Sequence, residues 1–183
     1  LIKEMNLNDE YYKVKYIQSR ISAAKNNLMT PQAYAQNTGL LQEDKENRID
    51  KFVDLYLNYC QRCHKSNVMD FDDLLLKINI LFKKRKDLLA KYQDKFDFIL
   101  VDEYQDTNFA QYLIVKNLCG QQQKLCVVGD DAQSIYSFRG AQIKNILNFK
   151  DDFPTYKLFK LEQNYRSTKN IVHAASSVIH RNK

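Results

Sequence analysis

Two short apolar runs, each halted by acids, constrain this chain more than any other feature. Phe98-Ile99-Leu100-Val101 stops at Asp102-Glu103, and Leu125-Cys126-Val127-Val128 stops at Gly129-Asp130-Asp131. Runs this short and this apolar suit strands buried on both faces. Between them, Phe109 to Leu118 carries a helical apolar pattern, and buried strands alternating with helices predict a parallel sheet. Tyr156 to Leu161 reads as a weaker third strand. Further helical patterns lie at Ile143 to Phe149, with Pro154 ending that region, and at the end of the chain. There Ser167 or Thr168 is the N-cap, and Ile171, Val172, Ala175, Val178 and Ile179 form the stripe.

Residues 1 to about 67 follow a different pattern. Val14, Ile17, Ile21 and Leu28 recur at helical spacing, and Thr30-Pro31 is an N-cap followed by proline at the first helical position. Ile49, Phe52, Val53, Tyr56, Leu57 and Cys60 share one helical face. Asn37 to Asn47 is polar, contains Gly39, and reads as a loop. Leu74, Leu75, Ile78, Leu81 and Phe82 make another stripe, with Asp70 as its N-cap. The chain therefore divides near residue 68 into an all-α part and an α/β part.

Composition narrows the class. Hydrophobic residues at 44% and charged residues at 27% support a folded core. Only 4 glycines and 2 prolines exclude collagen-like and turn-dense all-β chains. No apolar run approaches the ~20 residues of a membrane helix, and no membrane partner is expected. The first residues, Leu1-Ile2-Lys3-Glu4, carry neither an initiator Met nor a signal-peptide apolar region, so an excised or processed chain is expected. Four cysteines without a disulfide-like density point to reduced thiols and a cytoplasmic setting. A net charge of +6 favours polyanion partners.

In open parallel sheets, ligands sit beyond the carboxyl ends of the strands. An apolar strand followed at once by Asp is how P-loop NTPases hold Mg²⁺ near phosphates, and a neighbouring Glu can orient or deprotonate water. By themselves two acids also fit a solvated turn or a helix cap. The surrounding residues decide more. Asp102-Glu103-Tyr104-Gln105-Asp106-Thr107-Asn108 resembles the Walker B signature of superfamily 1 helicases of the UvrD/PcrA/Rep type. Val128-Gly129-Asp130-Asp131-Ala132-Gln133-Ser134-Ile135-Tyr136-Ser137-Phe138-Arg139-Gly140-Ala141 resembles that family's next motif, and Leu161-Glu162-Gln163-Asn164-Tyr165-Arg166-Ser167 the one after. Met69-Asp70-Phe71-Asp72-Asp73-Leu74 is a fourth match, and the order and spacing of all four fit.

The resemblance implies a partial RecA-like P-loop NTPase sheet with an all-α inserted subdomain. It implies residues 1–67 as the inserted subdomain, 68–166 as the later part of the first RecA-like domain, and 167–183 as a helix leading into the second. It also implies ATP and Mg²⁺ as cofactors and single-stranded and duplex DNA as partners. Asp102 would help hold Mg²⁺, Glu103 would be the catalytic base, and Gln133 would sense the γ-phosphate. Arg166 would be an arginine finger, and Tyr165 would stack on adenine. Phe71, Tyr136, Phe138 and Arg139 match positions lining the single-strand path, where aromatic faces accept any base. The family usually carries Trp where this chain has Phe138, and this chain has no Trp.

Two other patterns have plainer readings. Cys60-Gln61-Arg62-Cys63-His64 spells a haem-attachment motif, but Cys60 continues an apolar helical stripe and reads as a small core residue. Lys83-Lys84-Arg85-Lys86 reads as a solvated helix end favoured by the helix dipole, with a hold on nucleic-acid backbone as the alternative. No Gly-x-x-x-x-Gly-Lys-[Ser/Thr] loop occurs; in the family it lies upstream of every motif seen here. The chain is accordingly expected to be the middle of an ATP-dependent, 3′→5′ DNA helicase, and inactive alone. A helicase–nuclease subunit of the RecB/AddA kind and a non-catalytic nucleic-acid-binding module are the alternatives; Asp102, Glu103, Gln133 and Arg166 together weigh against the second.

Overall fold

A computed structural model of the protein describes residues 1–121 and 124–181, without the side chain of Arg139. Helices dominate. In the first third, α1 (Val14–Asn26), α2 (Pro31–Ala35), α3 (Thr38–Glu46) and α4 (Phe52–Lys65) enclose one apolar cluster. Ile17 and Ile21 of α1, Tyr34 of α2, and Phe52, Leu55 and Tyr56 of α4 are buried there with Ile49. Each fully buried side chain of this size contributes roughly 1.5–3 kcal/mol. Ile49 lies just ahead of α4, and Leu28 lies past α1 in a left-handed conformation, so neither belongs to the helical stripe expected for it. Cys60 sits half-buried at the cluster's edge, where burial pushes its thiol up to about 11.

The stretch expected as a loop at Asn37 to Asn47 is instead α3. Asn37 caps it, its Oδ1 accepting the Leu40 N–H at 3.1 Å. Asp44 explains the difference. It is 1% exposed, accepts a hydrogen bond from the Tyr34 hydroxyl at 3.1 Å, and pairs with Arg20 of α1. A polar segment folds into the structure here because its acid finds a partly buried cation remote in sequence.

The α/β part begins with α5 (Phe71–Lys84) and α6 (Lys86–Lys95), then β1 (Ile99–Val101), α7 (Phe109–Cys119) and β2 (Leu125–Val127). β1 and β2 pair in parallel, with Ile99 opposite Leu125 and Val101 opposite Val127. A capping box starts α5, with Asp70 accepting the Asp73 N–H at 2.8 Å, and another starts α7 through Asn108 and Gln111. The face α5 buries is Asp73, Leu76, Asn79 and Phe82, while Leu74 stays half exposed. The expected stripe is rotated because α5 packs against both α1 and α7. Asn79 fits this dry seam by donating to the carbonyls of Leu75 (2.9 Å) and Ala110 (3.0 Å). At the end of α5, Lys83 and Lys84 occupy the last turn and Arg85 pairs with Asp87 at 2.6 Å.

Beyond β2 come two short helices, α8 (Lys144–Leu147) and α9 (Phe149–Asp152), interrupted at Asn148, and finally α10 (Lys169–Ile179). The third strand expected at Tyr156 to Leu161 does not form. That segment is irregular, with Leu158, Phe159 and Leu161 at least 70% exposed, and the described sheet holds only β1 and β2. An apolar run becomes a strand only when a neighbouring backbone completes its ladder. Thr168 precedes α10 as N-cap, and the stripe residues Ile171, Val178 and Ile179 face solvent. No helix among the described residues is long and apolar enough to cross a membrane.

Candidate functional site

The site forms where β1 and β2 end side by side. The ladder continues one step past the strands: Val128 N–H donates to Val101 O at 2.8 Å, and Tyr104 N–H donates to Val128 O at 3.0 Å. The two acid-bearing turns therefore leave the sheet together. Asp102 follows β1 and accepts the Glu103 N–H through Oδ1 at 2.9 Å. Glu103 itself has φ +50° and ψ +42°, the left-handed region. For a residue other than glycine this conformation costs of order 1–3 kcal/mol and persists only when neighbours over-determine it.

Those neighbours are visible. A 3₁₀ turn, Tyr104–Asp106, follows Glu103 and folds Gln105 back beneath it. Gln105 is 1% exposed. Its Nε2 donates to Glu103 Oε2 at 2.7 Å, and its Oε1 accepts the Asp130 N–H at 3.1 Å. Its backbone carbonyl accepts the Ser134 hydroxyl at 3.3 Å. Tyr104, also 1% exposed, packs edge-on against Phe149, and burial pushes its hydroxyl up to about 12.

The second turn carries Gln133. Asp130 accepts the Ala132 N–H at 3.0 Å through Oδ1 and the Gln133 side-chain amide at 2.7 Å through Oδ2. A second 3₁₀ turn, Ser137–Arg139, ends at Gly140, whose φ of +86° glycine adopts without strain. The loop then returns to its neighbour. Asn108 and Ala141 form an isolated antiparallel bridge, Gln142 N–H donates to Thr107 O at 3.0 Å, and Asn145 Nδ2 reaches Thr107 O at 3.0 Å. The 102–108 and 128–142 segments are thus laced along their length.

Of the residues expected at the site, Asp102, Glu103 and Gln133 come together on these two turns. Tyr136 (39% exposed) and Phe138 (74% exposed) lie on the same loop, their rings 5.9 Å apart and tilted by 38°. Arg139 occupies the last position of its 3₁₀ turn, and its side chain lies outside the described residues. Phe71 is 90% exposed at the first position of α5. Tyr165 and Arg166 stand apart. Tyr165 is 92% exposed, and Arg166 bends with its N–H donating to Asn164 Oδ1 at 2.9 Å. Among the described residues, no hydrogen bond, ion pair or ring contact joins either to the strand-end turns.

Reading the sequence missed Gln105, Asp130 and Ser134 as parts of the site. The available signal was a lone amide two positions past Glu103 in an otherwise acidic turn. It also missed a buried network beneath Phe71. Lys25 of α1, fully buried, pairs with Asp70 at 2.6 Å and Asp73 at 3.0 Å, and lies 5.0 Å from the Tyr59 ring centroid. Tyr59 donates to Asp70 at 2.8 Å. Asn26 donates to Asp72 at 3.1 Å and accepts from Asn108 at 2.9 Å, so α1 ties the start of α5 to the start of α7.

Among the described residues, no group of three or more His, Cys, Asp or Glu could form a metal cage. The donors at the end of β1 are carboxylates, the hard oxygen ligands that Mg²⁺ takes. Mg²⁺ commonly uses one or two such groups and completes its shell with phosphate oxygens and water, so Asp102 suits that ion.

Comparison with known proteins identifies a family. The family model described as the UvrD/REP helicase N-terminal domain matches residues 1–154. The chain belongs to the UvrD/REP helicase family. It is 45% identical over 183 residues to the ATP-dependent DNA helicase PcrA of Bacillus subtilis (strain 168) and 43% identical over 183 residues to that of Leuconostoc citreum. It is 42% identical over 182 residues to PcrA of Staphylococcus aureus (strain Mu50 / ATCC 700699). Each match takes in 100% of this chain, and the chain spans 24% of each relative's length.

Proposed function

We propose that this chain is the part of an ATP-dependent DNA helicase that holds the hydrolytic base and the loop reporting on DNA. Residues 1–67 are the inserted helical subdomain, 68–166 the later part of the first RecA-like domain, and 167–183 the helix leading to the second. The observation that carries the reading is the lacing of two turns at the carboxyl end of the sheet. One bears Asp102 and Glu103; the other bears Gln133, Tyr136 and Phe138.

On this reading Asp102 holds Mg²⁺, which when bound offsets phosphate charge. Glu103 orients the attacking water and accepts its proton. The Gln133 amide bonds the γ-phosphate, exchanging its present partner, Asp130 Oδ2, for a phosphate oxygen. Tyr165 stacks on adenine, and Arg166 neutralises charge on the transferring phosphoryl group once the segment around it folds over the nucleotide. Phe71, Tyr136, Phe138 and Arg139 take the single strand by stacking and phosphate pairing. Hydrolysis then drives 3′→5′ movement along the strand and separation of duplex DNA.

The test is Glu103→Gln in the full-length protein. Nucleotide binding should persist while DNA-stimulated turnover falls by about 10²–10⁴-fold, the range lost with a general base. Turnover within a few-fold of the unmodified protein would remove Glu103 from that role.

A further inference from the structure

We infer that Gln105 is a positioning residue that couples the DNA-facing loop to the base, so that the loop's placement sets that of Glu103. The inference rests on the proposed role of Glu103 and adds to it how DNA reaches the base.

Three observations carry it. First, one buried amide spans both partners, donating to Glu103 Oε2 at 2.7 Å and accepting from Asp130 N–H at 3.1 Å. An amide has one donor end and one acceptor end, so it cannot turn over without losing both bonds. Second, the partner loop is the one that carries Gln133, Tyr136 and Phe138, and Ser134 fastens it again to the Gln105 carbonyl. A shift of that loop moves Asp130 N–H and, through a rigid side chain, the Glu103 carboxylate. Third, the packing leaves no slack. A Cβ placed on Gly129 would lie 2.6 Å from Gln105 Oε1 and 3.0 Å from Ile146 Cδ1. Glycine there lets the loop close onto the amide. Glu103 meanwhile holds a left-handed backbone that an ordinary acid avoids, so its pose depends on what grips it.

The experiment uses the full-length protein and reads the ratio of ATP turnover with saturating single-stranded DNA to turnover without it. Gln105→Leu keeps the bulk and deletes both bonds. The ratio should fall roughly tenfold, within the 5- to 150-fold span common for coupling between sites. Affinities for a non-hydrolysable ATP analogue and for the strand should stay within about twofold. Gly129→Ala, which pushes the amide aside without altering it, should reproduce the loss, and the double variant should be no worse than either. The inference is overturned if the ratio is unchanged in Gln105→Leu. It is equally overturned if ratio, both affinities and melting temperature fall together, as a purely structural role predicts. Should Gln105→Leu fail to fold, Gly129→Ala decides on the same criteria. Glu103→Gln run alongside separates the layers. If it abolishes turnover while Gln105→Leu keeps full stimulation, the base stands and the coupling fails. If it turns over normally, the base assignment has failed, and the coupling with it.

Discussion

Lys25→Met removes the cation beneath the start of α5 and leaves its bulk. Lys25 is 0% exposed, and its ammonium holds Asp70 and Asp73 within 3.0 Å. Breaking a buried pair from one side costs about 3–5 kcal/mol, because a desolvated charge loses its partner. Asp70 retains 28% side-chain exposure and recovers some hydration, and it keeps the cap bond from the Asp73 N–H. The lower end, about 3 kcal/mol, therefore applies. At roughly 2–4 °C per kcal/mol for a chain of this size, the melting temperature should drop by about 6–12 °C. Thermal melting followed by circular dichroism, with urea titration for the free energy, measures it. Adding Asp70→Asn and Asp73→Asn to Lys25→Met should recover at least half of the loss, since no charge then stays buried unpaired and Asn caps as well as Asp. A drop under about 2 °C, or a triple variant worse than the single, would refute the view that these charges hold α1 to α5.

The same network makes a pH prediction. Burial alone would raise Asp70, but hydrogen bonds from Lys25 and Tyr59 outweigh it and hold the carboxyl below its usual 3.8. Its contribution is complete above that value and lost as pH falls through the depressed one; Lys25, raised above its usual 10.5 by the same acids against burial, loses its contribution only as pH rises through the raised value. The network's own contribution, read as the difference in melting temperature between the unmodified protein and Lys25→Met, should thus be flat between, and the acid fall should be shallower in Lys25→Met. Phe71→Ala should change melting by less than about 2 °C, since a 90% exposed ring contributes little to packing, yet weaken single-strand binding by about 1–3 kcal/mol in a filter or anisotropy assay. Phe138→Ala should weaken strand binding by a similar amount.

What the sequence disclosed, and what it hid, follows from where each signal is stored. β1, α7 and β2 were legible because each carries its own pattern, and Asp70 is a cap that acts within three residues. α3 was hidden because Asp44 is stabilised by Arg20 and Tyr34, which no local window contains. The Tyr156 to Leu161 run misled in the opposite sense, being apolar without a pairing neighbour among the described strands. The buried face of α5 is rotated from the expected stripe to take in Asn79, a polar residue accommodated in the seam because two carbonyls accept its amide. Asp102, Glu103 and Gln133 were singled out through motif resemblance. Gln105 escaped because its role rests on partners one turn back and one loop across.

The rigidity of the proposed site also sorts by chemical need. A base and a phosphate sensor must be held to within about 0.5 Å of working geometry, whereas a stacking ring tolerates displacement in its plane. Glu103 meets the stricter demand, its carboxylate gripped by buried Gln105, while Gln133 is held by Asp130 until it exchanges that bond for phosphate; both turns continue paired strand ends. Among the proposed stackers, Phe71, Phe138 and Tyr165 are at least 74% exposed, and Tyr136 is 39% exposed. Gln105 joins the two classes, since its donor end grips the precise group and its acceptor end follows a loop that also carries a compliant one. A signal from loosely held bases to a tightly held carboxylate needs a stiff, short connection at that junction. One buried amide, bonded at both ends, is such a connection between the two turns.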